Sequence, residues 1–307
     1  MDIIIGTTEF ELEQQTAVAI GKFDGVHLGH RRLLEEILVK KEQGLAACVF
    51  TFDPAPAVLF GASDGKELTT REEKRRQLEM MGVDILIEFP LSYETAAILP
   101  DVFVREILCG RMGMEFLAAG VDISFGDKGA GNAELLQRLA PELDFEVKLI
   151  DKVTVGGREV SSTYIREQVE MGKMDKAEQL LGMPYTISGE VVHGNRIGRT
   201  LGFPTVNLLP PANKLLPPNG VYYSEVIYKG RSYAAISNIG TKPTVTRDAV
   251  MGVESYLYDF EEEIYGEEIE VRLHRFKRPE QRFENLDALK EQLKRDIRDG
   301  EMGQFGD

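Results

Sequence analysis

Two of the chain's four histidines, His27 and His30, stand three residues apart in GKFDGVHLGH (residues 21–30), which also holds Gly21, Gly25 and Gly29. An apolar run precedes this string and an amphipathic run follows it, so it reads as the turn from a strand into a helix. Free backbone N–H groups at a helix start face an anion, and an imidazole placed there can stabilise charge growing on a phosphoryl group. A bare H-x-x-H is equally compatible with solvated histidines on a glycine-rich turn. In EVSSTYIRE (159–167), Ser161, Ser162 and Thr163 offer hydroxyls and Arg166 a cation, a set that suits phosphate binding or helix capping. A third string, GEVVHGNRIGRTLGFPTVNLLPP (189–211), spaces Gly189, Gly194, Gly198 and Gly202 ahead of Pro204, Thr205 and Asn207. Such glycines let backbone amides approach phosphate closely, and residues two apart on a strand share a face, so Thr205 and Asn207 can offer oxygen to one Mg²⁺. Glu254 opens ESYLYDF, where alternation sets it on one face with Tyr256 and Tyr258, and a carboxylate there can take the proton of a hydroxyl attacking a phosphoryl group.

The elements that must position these groups change character along the chain. Apolar runs at 17–23, 46–52, 84–88, 117–121 and 146–150 alternate with amphipathic stretches at 30–44, 70–82, 101–112 and 132–140, the pattern of βα units on a mostly parallel sheet. A short helical piece at 174–181 closes this half. After Pro184 the runs TISGEVVHG, GVYYSEVIY, SYAAISNIG, ESYLYDF and EIEVRLHRF follow one another without an intervening helix, which predicts a small antiparallel barrel. A terminal amphipathic helix over 284–299 carries Leu286, Leu289 and Leu293 on one face. The division falls between domains 1–184 and 185–307.

Composition narrows the function classes. A length of 307 residues favours two cores, and 43% hydrophobic with 28% charged residues is that of an ordinary globular protein. The formal charge of −15, concentrated as −12 in residues 1–187 against −3 in the remainder, argues against nucleic acid or an anionic membrane as partner while leaving room for a local phosphate site. With no long apolar segment and no signal-peptide pattern at the start, a cytoplasmic protein is expected. Cys48 and Cys109 have no CxxC spacing and read as buried free thiols.

The full string G-x-F-D-G-x-H-x-G-H resembles the HxGH signature of the nucleotidyltransferase superfamily; no Walker A sequence occurs. TFDPAPA (51–57) and AGVDISFGDKGAGN (119–132) resemble segments of its flavin branch, the FAD synthetase module, with Ala55 where histidine and Ile123 where phenylalanine are usual. SSTYIR departs from the usual SSTRIR at Tyr164. GxxxGRxLGFPTxN, NGVY, SNIGxxPT, VExxLxDF, IYGxxIxV and RPExxF, in that order, resemble the riboflavin kinase domain. Both halves together are similar to the prokaryotic bifunctional riboflavin kinase/FAD synthetase family.

The resemblance implies a Rossmann-like HxGH nucleotidyltransferase domain followed by a β-barrel kinase domain with a terminal helix. It implies riboflavin phosphorylated to FMN, and FMN adenylylated to FAD with release of pyrophosphate, with ATP and Mg²⁺ required. In the first domain it assigns His27 and His30 to the transition state, and Gly21, Phe23, Asp24, Gly25, Gly29 and Asp122 to ligand binding. Ser161, Ser162, Thr163 and Arg166 are assigned to the phosphates. In the second it assigns Glu254 as general base, Thr205 and Asn207 as metal ligands, and Gly194, Gly198, Arg199, Gly202, Pro204 and Asn238 to substrate binding. The expected partners are small molecules only, on a monomer or weak homo-oligomer. A second reading keeps the kinase and makes the first half a nucleotide- or flavin-binding regulatory module, on account of Ala55, Ile123 and Tyr164.

Overall fold

A computed structural model of the chain describes residues 1–62, 64–194, 202–243 and 249–303. Gly198 and Arg199 lie outside the described residues. The chain divides into two compact units, Met1–Ser162 and Thr163–Asp307, so the helices 162–170 and 174–181 group almost entirely with the second unit.

The first unit is built on six parallel strands, β1 (Asp2–Ile5), β2 (Thr16–Ile20), β3 (Ala46–Asp53), β4 (Ile85–Pro90), β5 (Met114–Gly120) and β6 (Glu146–Ile150), in the order β1-β4-β3-β2-β5-β6. Both faces are covered, as a parallel sheet requires. Val18, Ile20, Cys48, Phe50 and Ile87 point into one core, while Ala17, Ala19, Ala47 and Val49 join Leu34 and Ile37 of α1 (Leu28–Val39) in the other. After β2 the chain steps to β3 and β4 on one side and then returns to β5 on the other side of β2. The loop leaving β2 therefore lies at the point where strand order reverses, outside the carboxyl ends of the strands, where open α/β sheets bind ligands.

The five strands read from sequence are all present. The sixth, β1, is a short edge strand, and a hairpin of β7 (Thr154–Val155) and β8 (Arg158–Glu159) follows β6. The stretch 101–112 forms a helix that begins at Pro100 and widens into π-type turns over Phe103–Arg111. Between β3 and β4 the short α2 (Pro56–Leu59) is followed by α3 (Arg71–Met80), which starts on a capping box, in which the Thr70 hydroxyl accepts the Glu73 amide and the Glu73 carboxylate accepts the Thr70 amide. Cys48 is buried, whereas Cys109 is half-buried.

In the second unit, β9 (Tyr185–Val192), β10 (Val206–Leu208), β11 (Gly220–Tyr228), β12 (Arg231–Pro243), β13 (Ala249–Leu257) and β14 (Glu268–Pro279) close an antiparallel barrel in the order β10-β13-β12-β11-β14-β9. Along β13 the side chains of Val253, Ser255 and Leu257 are buried, which leaves Glu254 and Tyr256 on the outer face. Inside, Ser224, Ser237 and Ser255 of three adjacent strands satisfy one another at 2.8 and 2.7 Å. The terminal helix Leu286–Gly303 is tied to the barrel's outer face by Tyr258, whose hydroxyl donates to the Ile297 carbonyl at 2.6 Å, and by Arg278 on Asp296. No helix among the described residues is long and apolar enough to cross a membrane.

Candidate functional site

In the first unit the candidate residues are concentrated in the turn from β2 into α1. Phe23 and Val26 take left-handed backbone angles (φ 50° and 42°), a cost of about 1–3 kcal/mol each that persists because both side chains are fully buried against α1. His27 caps α1, its Nδ1 accepting the His30 amide at 3.3 Å. The His27 and His30 rings stack with centroids 3.7 Å apart, and Phe23 lies 4.9 Å from His30. Gly29 permits this stack, since a Cβ there would come within 3.1 Å of the His27 ring. Burial lowers the His27 pKa to about 4 against the opposing pull of Asp24, and holds His30 well below its ordinary value, with the charges of His27 and Lys74 acting in the same direction. Both imidazoles are therefore neutral at pH 7. Because His27 Nδ1 is an acceptor, its proton sits on Nε2, where it is a donor. Among the described residues, the Nδ1 of His30 is buried without a hydrogen-bond partner.

The other residues expected in this site divide between contact and support. The Asp24 carboxylate accepts the amides of Leu68 at 2.8 Å and Thr69 at 3.3 Å, and the Thr69 hydroxyl accepts the Gly25 amide at 3.0 Å. This clamp fixes the histidine turn to the segment leading into α3, and sequence spacing gave no signal of it. Ser162 donates from its hydroxyl to the Asp24 carbonyl at 3.0 Å, so one hydroxyl of the SST cluster joins the turn. Thr163 and Arg166 follow it on the helix Ser162–Glu170, within the second compact unit. Gly21 approaches the Phe23 ring, where a Cβ would lie 3.2 Å away. Asp122 pairs with Lys152 at 3.2 Å just after β5. Phe125 is buried, and Ile123 packs against the same core. Ala55 precedes a short helix, Pro56–Leu59.

In the barrel, strand register assembles the site. Asn207, Glu254 and Asn238 are successive cross-strand partners on β10, β13 and β12, and the row continues through Val221 to Arg278. The Thr205 hydroxyl donates to Glu254 Oε1 at 2.6 Å. Asn207 is buried, and Gly194 crowds it so closely that a Cβ at Gly194 would lie 2.5–2.7 Å from its amide atoms. The Asn238 amide donates to Glu280 at 3.3 Å.

Two cavities meet at Thr205. One, of about 580 Å³, is lined by Phe203, Asn238, Glu254, Tyr256 and Arg278 together with the terminal helix. The other, of about 220 Å³, is lined by Gly194, Pro204, Asn207, Phe260 and Tyr265. Gly202 begins the described segment that enters Pro204. Arg278, which sequence left without a role, is held by Asp296 through three contacts of 3.1, 3.1 and 2.5 Å. The RPE string containing it was visible; its partner on the terminal helix, 18 residues later, was not.

Comparison with known proteins agrees with this division. Residues 9–164 match the FAD synthetase family and residues 181–302 the riboflavin kinase family. A bifunctional riboflavin kinase/FMN adenylyltransferase of Listeria monocytogenes is 36% identical over 95% of this chain and 94% of its own length. The enzyme of that description from Escherichia coli is 37% identical over 92% and 91%. Among solved structures, one described as a macrolide-efflux protein from Streptococcus pneumoniae superposes with a TM-score of 0.86 at 29% identity, covering 97% of this chain and 98% of that one. With relatives this similar along nearly its whole length, the chain belongs to the bifunctional riboflavin kinase/FMN adenylyltransferase family.

Proposed function

We propose that this riboflavin kinase and FMN adenylyltransferase divides its two reactions between the two units, the barrel converting riboflavin to FMN and the parallel-sheet unit converting FMN to FAD. The observation that carries the kinase assignment is the Thr205–Glu254 contact of 2.6 Å where two cavities adjoin. The larger cavity, with Phe203 and Tyr256 in its wall, suits the flavin ring system, and the smaller suits the nucleotide. Glu254 accepts the proton of the flavin's terminal hydroxyl as its oxygen attacks the γ-phosphorus of ATP. Thr205 and Asn207 provide a hydroxyl and an amide oxygen, donors that fit Mg²⁺, which keeps several ligand positions for water and phosphate. When bound, Mg²⁺ would neutralise phosphate charge there. Gly194 and Pro204 set the path of the chain on either side of these ligands.

For the adenylyl step, an FMN phosphate oxygen attacks the α-phosphorus of ATP and pyrophosphate departs. His27 donates from Nε2 to the phosphoryl oxygens, and His30 stands beside it with an imidazole nitrogen still unpartnered. Against the reading as a regulatory module, argued from Ala55, Ile123 and Tyr164, stands the similarity to bifunctional enzymes along nearly the whole chain, and Ile123 packs against the core. Glu254→Gln tests the kinase assignment: riboflavin phosphorylation should fall by at least about 10²-fold while FMN supplied directly is still converted to FAD. A variant with near-normal phosphorylation refutes the general-base role.

A further inference from the structure

Both histidines of the adenylyl-transfer turn are neutral, yet ATP and FMN are polyanions, so the site needs a cation that the HxGH string does not supply. Lys74, the fourth residue of α3, is nine-tenths buried, and among the described residues its ammonium makes no hydrogen bond or ion pair. Its stem is packed away while the charged end stays open to solvent, the arrangement in which a lysine head can meet an anion. Two other cations of α3 are already engaged. Arg71 is held by Asp53 at 2.5 Å, and Arg75 grips the buried Glu88 carboxylate through two contacts of 3.0 and 2.5 Å.

The position of Lys74 is built rather than incidental. The Asp24 clamp on the amides of Leu68 and Thr69, with the bond from Gly25 to Thr69, pins the segment entering α3 to the histidine turn. The capping box then fixes where the helix starts and so which way its first turn faces. Lys74 is close enough to His30 for its charge to depress that imidazole, and close enough to draw down the carboxyl of Glu67, which burial raises.

We propose that Lys74 is a catalytic residue of adenylyl transfer, its ammonium binding the phosphate oxygens of the reacting ATP beside His27 and His30. As the bond from the FMN phosphate oxygen to the α-phosphorus forms, the bond from that phosphorus to the bridging oxygen breaks and its electron pair leaves on pyrophosphate. The Lys74 ammonium stabilises the charge gathering on the departing side. The inference rests on the adenylyl step residing in the first unit.

The test uses the full chain and follows both reactions in each preparation. Lys74→Met should lower kcat for FMN to FAD by about 10²- to 10³-fold, the loss typical of one preorganised charge contact, with riboflavin phosphorylation unchanged. Lys74→Arg, which keeps the charge, should recover activity to within about tenfold of the unsubstituted protein. FAD formation by Lys74→Met at the native rate overturns the proposal. So does equal loss in both variants together with a lowered unfolding midpoint, which would make Lys74 a packing residue. Loss of FAD formation from the unsubstituted protein would instead refute the division of reactions on which the proposal rests.

Discussion

Gly194→Ala is the sharpest test of how the barrel site is assembled. A Cβ at this position would stand 2.5 Å from Nδ2, 2.6 Å from Cγ and 2.7 Å from Oδ1 of Asn207, whereas ordinary contact begins near 3.4 Å. Either the loop or the amide must retreat by about 1 Å. Asn207 cannot yield easily, because it is buried and its backbone is paired with Val192 on one side and Glu254 on the other. A displacement of about 1 Å in a group that orients phosphate costs about 10²-fold in rate. With purified full-length protein, saturating ATP and a Mg²⁺ titration, kcat for riboflavin phosphorylation should therefore fall by about 10²-fold and the Mg²⁺ requirement should rise. FMN to FAD conversion in the same preparation should be unchanged. A kinase rate within about threefold of the parent at unaltered Mg²⁺ dependence would refute the reasoning, as would an equal loss of both activities.

The neutral histidines predict a pH dependence of stability. The unfolded chain takes up protons on these imidazoles below about pH 6.5, while folded His27 does so only near 4, so the first unit loses stability as pH falls through this window, by about 3 kcal/mol from His27 alone. Calorimetric midpoints from pH 7 to 4 should fall more steeply for the native chain than for His27→Gln, and parallel curves would refute the assignment. Asp296→Ala removes the carboxylate that holds Arg278 and should destabilise the barrel unit by about 3 kcal/mol, because the guanidinium is left largely buried and unpaired. It should also raise the KM for riboflavin, since both residues line the larger cavity; unchanged denaturant midpoint and KM would show the pair to be inert.

Much of the architecture was legible because both halves obey strong periodicities. Val18 and Ile20 against Ala17 and Ala19 alternate between two cores, and 30–44 carried a helical stripe that the structure ends in α1 and a tighter turn. The strand β1 escaped because four residues at a sheet edge, with Ile3 and Ile5 exposed, have no local signature. The hairpin Thr154–Val155 with Arg158–Glu159 was missed although its signal was present: Gly156 and Gly157 both adopt positive φ, the geometry a two-residue hairpin demands. The site divides similarly. Motif residues announced themselves, but the row from Asn207 through Glu254 to Asn238 exists only through register between strands distant in sequence. Asp24 stood in the motif as a ligand candidate, and its carboxylate also braces the amides of Leu68 and Thr69, 44 and 45 residues on.

The neutrality of the two histidines has a mechanistic consequence. A pair of imidazolium ions would attract the ground-state triphosphate as strongly as the transition state, and uniform binding of that kind lowers KM without raising kcat. Neutral N–H donors fixed by burial and by the Gly29 close approach respond chiefly to charge that grows during reaction, at positions set before substrate arrives. The acidic character of the first half sharpens the requirement, since residues 1–187 carry a net charge of −12 and repel polyanions in general. Under these conditions one ammonium at Lys74, its stem fixed by burial, is worth more than several mobile ones. It meets phosphate beside the histidine turn and leaves the histidines free to remain uncharged donors.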